Sequence, residues 1–433
     1  MQQILDLHIH SKYSRACSKH LELPEIARSC AIRGIDIVVT GDFTHPKWFE
    51  HIQESLVEHS EGVFVLKEEV KNDQEFSILR NHQTKFLLGT EVSVIKKDKG
   101  ATRRVHHLVF APSISVAEKF NQKLADMGFN LYADGRPILG ITSKALLELM
   151  LDVDERMVMI PAHVWTPWFG IFGSKSGYDS LEEAFEDLTP HIFAIETGLS
   201  SDPLMNWQCD FLDKITLVSN SDAHSPQKLG REANVFSFQS ELDITYLRIM
   251  QIIREAKKSE FLYTIEFYPE EGKYHCDGHR DCGFWCEPEQ TKRLKGICPK
   301  CKKKLVVGVL NRVQELASRP HGSANQFERI PFKSIVPLPE IISDTIQVGV
   351  SSKAVKKIYD GLIEKMGSEF SVLIHGDVKE IEKYSSKEVA NAIQKVREGD
   401  IYIQPGYDGE FGVVKVFQSA QQRGRAKQLG MNL

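Results

Sequence analysis

No run of about 18 apolar residues occurs in the chain, which excludes a membrane-spanning helix on hydropathy. The opening residues, Met1 to Asp6, lack a basic segment followed by an apolar one, which argues against a secretory leader. Neither an internal repeat nor a low-complexity tract is present, so solenoid and linker architectures are excluded. The phosphate-cradling pattern GxxxxGK[ST] is also missing. Gly173-Ser174-Lys175-Ser176 is only a fragment of it, and ATP-driven unwinding is thereby rejected. There is no bulk excess of positive charge: 54 Lys and Arg face 59 Asp and Glu, a net −5 that does not by itself favour a polyanion.

Locally the charge is uneven. Lys292, Arg293, Lys295, Lys300, Lys302, Lys303, Lys304, Arg312 and Arg319 crowd one stretch, and Arg423, Arg425 and Lys427 lie near the C-terminus. A chain of 433 residues is too long for one compact core, so two or three domains are expected. Cysteine is sparse and unevenly placed. Cys17, Cys30 and Cys209 are scattered as small buried hydrophobes are, whereas Cys276, Cys282, Cys286, Cys298 and Cys301 cluster. Without a leader peptide, clustering of this kind points to metal and a reducing cytoplasm instead of disulfides.

Short apolar runs at 4–10, 35–41, 86–94, 105–111, 157–163, 192–197 and 215–220 read as strands. Helical patterns lie between most of them, including 24–33, 115–127 and about 240–258. This alternation predicts a parallel sheet or a (β/α)7 barrel over residues 1–260. Residues 261–330 hold the cysteine-rich segment. Residues 331–420 read as a small α+β domain, with helices at 352–366 and 386–398 and a hairpin over 401–417. Residues 421–433 read as a flexible basic tail.

Polar residues recur at the strand ends: His8-Ile9-His10, Thr40-Gly41-Asp42, Gly89-Thr90-Glu91, Val105-His106-His107, Ala162-His163 and Ser221-Asp222-Ala223-His224. Two histidines two apart on a strand face the same way, so both can reach one ion. Parallel strands would bring their C-terminal ends to a single rim. Buried charge in such numbers is costly unless paired or metal-bound. Zn²⁺ or Mn²⁺ suits this histidine-rich shell better than Mg²⁺. Farther along, His279, Cys282, Cys298 and Cys301 have zinc-knuckle spacing, with Cys276, Cys286 and His275 as competitors.

The ordered set HxH, TxD, GxE, VH, AH and SDAH resembles the polymerase-and-histidinol-phosphatase (PHP) superfamily, which implies a distorted barrel with a divalent-metal phosphoesterase centre. The resemblance implies that His8, His10, Glu91 and Asp222 hold one ion. It implies that Glu91 bridges to a second, on His106 (or its neighbour His107) and His163, and that Asp42 and His224 serve a third. Arg15 stands where the superfamily has another third-site ligand, leaving that site empty or completed by phosphate, or Arg15 free to clamp a phosphate oxygen.

Residues 261–271, 274–282, 298–301, 309–316 and 405–412 are similar to endonuclease Q. That resemblance spans nearly the whole chain. It implies a nucleoid-associated DNA-repair enzyme that uses two or three divalent cations, with one structural Zn²⁺ elsewhere. Such an enzyme nicks DNA 5′ to deaminated bases (uracil, hypoxanthine, xanthine) and abasic sites. A flipped lesion needs a pocket, for which Trp165, Trp168 and Phe169 are candidate walls and Tyr13, His45 and Glu196 candidate rim groups. Gln428, Leu429, Met431 and Leu433 resemble the hexapeptide that binds the bacterial sliding clamp. The alternatives are a small-molecule phosphatase and a non-catalytic DNA-binding protein.

Overall fold

The structure is a computed structural model that describes residues 1–70, 76–320 and 329–418. The basic C-terminal stretch and the clamp-like residues Gln428, Leu429, Met431 and Leu433 lie outside the described residues. Among the described residues, no helix is long and apolar enough to cross a membrane.

All seven apolar runs contain strands, and these strands form a ring. Gln2–Asp6 pairs in parallel with Ile37–Val39, and Ile37–Val39 in parallel with Lys85–Asp98. Ala194–Glu196 pairs in parallel with Thr216–Val218. A parallel bridge between Ile9 and Ala223, with His10 N donating to Ala223 O at 3.1 Å, returns the ring to its first strand. The helix Leu23–Arg33 links the first two of these strands, with a proline in its first turn and its buried face on Leu23, Ile26, Ala27, Cys30 and Ala31.

An all-parallel arrangement, expected from alternation, is not what forms. Ala101–Ala111 runs antiparallel to both neighbours, Lys85–Asp98 and Val158–Pro161. The cause is local. Only Lys99 and Gly100 connect Asp98 to Ala101, with φ of +48° and +84°, a two-residue reversal that returns the chain alongside itself. Parallel return would need a crossover of a dozen residues or so.

The sheet also continues past residue 260, where a domain boundary was expected. Phe261–Glu266 pairs with Ala233–Ser237, and Phe332–Ser334 pairs with Phe261–Glu266. Phe261 and Ile265 are fully buried in the main core, which holds this strand in the sheet. The cysteine-rich segment is therefore an insertion between two neighbouring strands. Among the described residues, its own buried cluster is Cys286, Cys298 and Leu305, with Cys282, Phe284 and Leu294 partly buried against it. The main core, by contrast, runs from Leu5 to Phe417. The last section carries helices Leu338–Ile346, Lys353–Met366, Val378–Tyr384 and Lys387–Glu398, then a short antiparallel pair, Tyr402–Gln404 with Val413–Lys415.

Candidate metal centre

His8 and His10 follow the first strand, alternating with core residues Leu7 and Ile9, so both imidazoles face inward and are buried. Glu91 reaches them from the middle of Lys85–Asp98. Three residues that deliver polar groups to the ring, Asp42, His163 and Asp222, have φ of +45°, +29° and +46°. Left-handed backbone costs about 1–3 kcal/mol at a non-glycine residue and persists where the surroundings over-determine it, as at functional sites.

Three groups of potential ligand atoms result, each within 4.8 Å of one another: His8, His10 and Glu91; His10, Asp222 and His224; Glu91, His106 and His163. His8 Nε2 lies 3.7 Å from Glu91 Oε2 and 3.5 Å from Asp222 Oδ1, and His10 Nε2 lies 3.3 and 3.2 Å from the same two oxygens. Four ligands at about 2.0–2.1 Å from one ion in a tetrahedron are roughly 3.3–3.4 Å apart. His8 Nε2, His10 Nε2 and Asp222 Oδ1 are buried with no hydrogen-bond partner. Orphaned polar atoms are expensive, and their convergence at ligand spacing fits a divalent cation. The second group is tighter: Glu91 Oε1 lies 2.7 Å from His106 Nδ1 and 3.0 Å from His163 Nε2. Burial alone would raise the Glu91 carboxyl, but His106, Arg136 and His8 outweigh it and hold it well below the usual carboxylate range.

Strand alternation decides between the adjacent histidines. His106 faces Glu91, while His107 turns outward, pairs with Ser143 Oγ at 2.8 Å and meets Phe185 edge-on. Burial pushes the His107 pKa down to about 3, so it is a neutral core imidazole and not a member of the cluster.

Two expected site carboxylates stand behind the cluster. Asp42 was expected as a third-site ligand with His224. Its Oδ1 meets His10 Nδ1 at 3.1 Å, and its Oδ2 accepts from Ser11 N, Ser11 Oγ and Ser14 Oγ at 2.6–2.8 Å. With those partners it orients His10 and is in none of the ligand groups. Glu196 was expected at the substrate rim. It is fully buried, lies 3.0 Å from His8 Nδ1, and accepts from His163 N and Asn220 Nδ2, both at 2.8 Å. A carboxylate on the far nitrogen of an inward histidine fixes its tautomer and ring orientation.

Trp165 does not line an open pocket. It is fully buried, donates from Nε1 to Asn206 Oδ1 at 2.7 Å and packs on Phe172. Trp168 is 43% exposed and lies 6.0 Å from the Tyr274 ring; both border a cleft of about 210 Å³ with Thr166, Pro167 and Lys273. Phe169 is tilted against His106, and Tyr13 stacks on the buried His45. Arg15 is exposed, 3.6 Å from Asp134. Arg136, which no motif singles out, places Nη1 2.8 Å from Glu91 Oε2.

In the inserted segment, His279, Cys282, Cys298 and Cys301 gather within 4.8 Å, with Cys301 Sγ 3.8 Å from His279 Nε2. The competitors lie elsewhere: Cys286 contacts Thr291 Oγ1, and Cys276 bridges to Tyr407. The nearby lysines are exposed, but Arg312 is buried against Phe172 O, Tyr178 O and Asp179, and Arg319 pairs with Asp213. Those two arginines therefore drop out of the basic surface.

Residues 337–400 match the family described as the MJ0043 C-terminal domain. The uncharacterized protein MJ0043 of Methanocaldococcus jannaschii is 34% identical over 258 residues, 58% of this chain but only 31% of that protein, so the chain spans about a third of its length. The uncharacterized protein YqxK of Bacillus subtilis is 26% identical over 371 residues, 84% of this chain and 86% of that one. The lesion-specific endonuclease PfuEndoQ from Pyrococcus furiosus superposes with a TM-score of 0.81 at 30% identity, covering 98% of both chains. Endonuclease Q in complex with a 27-mer duplex bearing an abasic lesion at its active site gives 0.80 at 31%, covering 96% of this chain and 97% of that one. With a relative of that identity matched over nearly its entire length, the chain belongs to the endonuclease Q family.

Proposed function

We propose that the protein is a DNA-repair endonuclease that cuts the backbone 5′ to deaminated bases and abasic sites, using a PHP-type centre of two or three divalent cations. One observation carries the reading. His8, His10 and Asp222 converge beside Glu91 with unpartnered buried atoms, in a chain similar over nearly its full length to an endonuclease that holds lesion-bearing duplex.

When bound, the cations would lower the pKa of a water and neutralise charge on the phosphoryl oxygens. His8, His10, Glu91 and Asp222 would hold one of them, and Glu91, His106 and His163 another. The remaining steps belong to the protein. Glu196 and Asp42 keep the far nitrogens of His8 and His10 engaged, so the Nε2 lone pairs point inward. Hydrolysis forms a bond from the water oxygen to phosphorus and breaks the bond to O3′, which takes the proton; the products are 3′-hydroxyl and 5′-phosphate ends. The cleft beside Trp168 and Tyr274 is assigned to the displaced nucleotide, on whose base an exposed indole can stack. The cysteine module is assigned one structural Zn²⁺, and its exposed lysines a phosphate-contacting role. The C-terminal hexapeptide is assigned to a sliding clamp. Deletion of residues 428–433 is expected to abolish co-purification with the clamp, and equal binding would end that assignment.

The test is a labelled duplex carrying one uracil, hypoxanthine or abasic site, incubated with Mg²⁺, Mn²⁺ or Zn²⁺. A nick immediately 5′ of the lesion and none in undamaged duplex is the expected result. Turnover of p-nitrophenyl phosphate without nicking would instead establish a small-molecule phosphatase, and DNA binding without either activity a non-catalytic protein.

A further inference from the structure

We infer that Arg136 is the group that grips a non-bridging oxygen of the scissile phosphate, an assignment that rests on the endonuclease reading above. The residue lies between the helix Ile114–Asp126 and the short strand Ile138–Leu139, in a loop clipped to the segment after His10. Gly135 N donates to Tyr13 O at 3.0 Å, and Asp134 Oδ1 accepts from Arg15 N at 3.3 Å and Arg136 N at 3.1 Å. Gly135 packs so closely that a Cβ there would collide with Asp42 Oδ2 and Ser14 Oγ. The loop is therefore packed directly against the carboxylate behind His10, which places the root of Arg136 beside the centre.

The guanidinium spans inside and outside. Its Nη1 meets Glu91 Oε2 at 2.8 Å, the same oxygen that lies 3.3 Å from His10 Nε2 and 3.7 Å from His8 Nε2. The Glu91 side chain is 0% exposed and the Arg136 side chain 25%. No other hydrogen bond of this guanidinium occurs among the described residues, so the rest of its donor fork is available at the mouth of the centre.

A cation-binding pocket gains nothing from a permanent positive charge on one of its own carboxylates. The guanidinium repels an incoming ion and competes for Oε2. That cost has a reason if an anion joins the site, because a phosphodiester oxygen between cation and guanidinium is attracted by both. The planar fork suits two phosphoryl oxygens at once. Arg15, to which this role falls on sequence order, is 86% exposed, with Nε 3.6 Å from Asp134 Oδ2.

The proposal is tested with Arg136→Gln and Arg136→Lys, after thermal melting and metal content have been matched to wild type. Nicking by Arg136→Gln is expected to fall about 10²-fold in kcat/KM, the scale for loss of one fixed donor to a developing anion. The deciding readout is binding, made with the full-length protein and its ligand set intact, with Ca²⁺ replacing the activating cation so that no strand is cut. Lesion duplex with a neutral methylphosphonate at the scissile position is compared with the natural phosphate by fluorescence anisotropy. With Arg136 present, the neutral linkage is expected to weaken binding about tenfold, as loss of one charged hydrogen bond would. With Arg136→Gln the two duplexes should bind alike, and Arg136→Lys should recover part of the difference. The same methylphosphonate penalty with and without Arg136 overturns the proposal and leaves the residue as a brace for Glu91. Because binding needs no cleavage, a wild-type protein that never nicks lesion DNA would remove the nuclease reading on separate grounds.

Discussion

The ring centre draws its residues from positions 8 to 224, whereas the inserted module takes all four of its own from positions 279 to 301. In the first, the imidazoles of His8 and His10 are buried and set by Glu196 and Asp42, inside a core that runs through most of the chain. In the second, Cys301 is exposed and the enclosed core amounts to Cys286, Cys298 and Leu305. A large core can hold ligands in place before any ion arrives, so a cation proposed there would serve chemistry. A core this small cannot offset the entropy of ordering its loops, so the zinc proposed there would be most of the fold.

The contrast makes predictions of decreasing size. Cys298→Ser should remove most of the roughly 10–16 kcal/mol of apparent binding energy typical of a structural zinc site. Limited proteolysis should then cut within residues 277–305 while the melting transition of the strand ring persists; loss of both together would break the comparison. Asp222→Ala should do the reverse. Single-turnover nicking is expected to drop by about 10³-fold or more, with a melting temperature close to wild type, since among the described residues Oδ1 has no hydrogen-bond partner and its histidine neighbours, His8, His10 and His224, belong to the centre. Activity near wild type would dissolve the centre as drawn. Glu196→Gln sharpens the same point more gently. Weakening the grip on His8 should cost about 10–100-fold in metal affinity, read by titration against a competing chelator, and an unchanged affinity would reduce Glu196 to packing.

Local chemistry explains which features were legible before the structure. Two x₂-spaced pairs of ligands make the cysteine module readable, because a turn of that length points both side chains at one ion. The strands were legible as apolar runs and the helix Leu23–Arg33 from its proline and terminal glycine. The direction of Ala101–Ala111 was written in the Lys99-Gly100 turn, but alternation of strands and helices elsewhere masked it. Trp165 and Trp168 are three residues apart and look alike in sequence; one is fully buried and the other 43% exposed, which depends on what packs over each.

By itself the sequence determined which residue types were available for metal chemistry, that seven apolar runs contain strands, and that His279, Cys282, Cys298 and Cys301 have ligand spacing among several competitors. Only the tertiary structure decided that His106 faces inward while His107 does not, that Asp42 and Glu196 stand behind histidines, and that Arg136 reaches Glu91. The physical reason is separation along the chain. Glu91 and Arg136 are 45 positions apart, and His8 and Glu196 are 188 apart. No local spacing rule links such partners, so their meeting is set by how the strands close around the core.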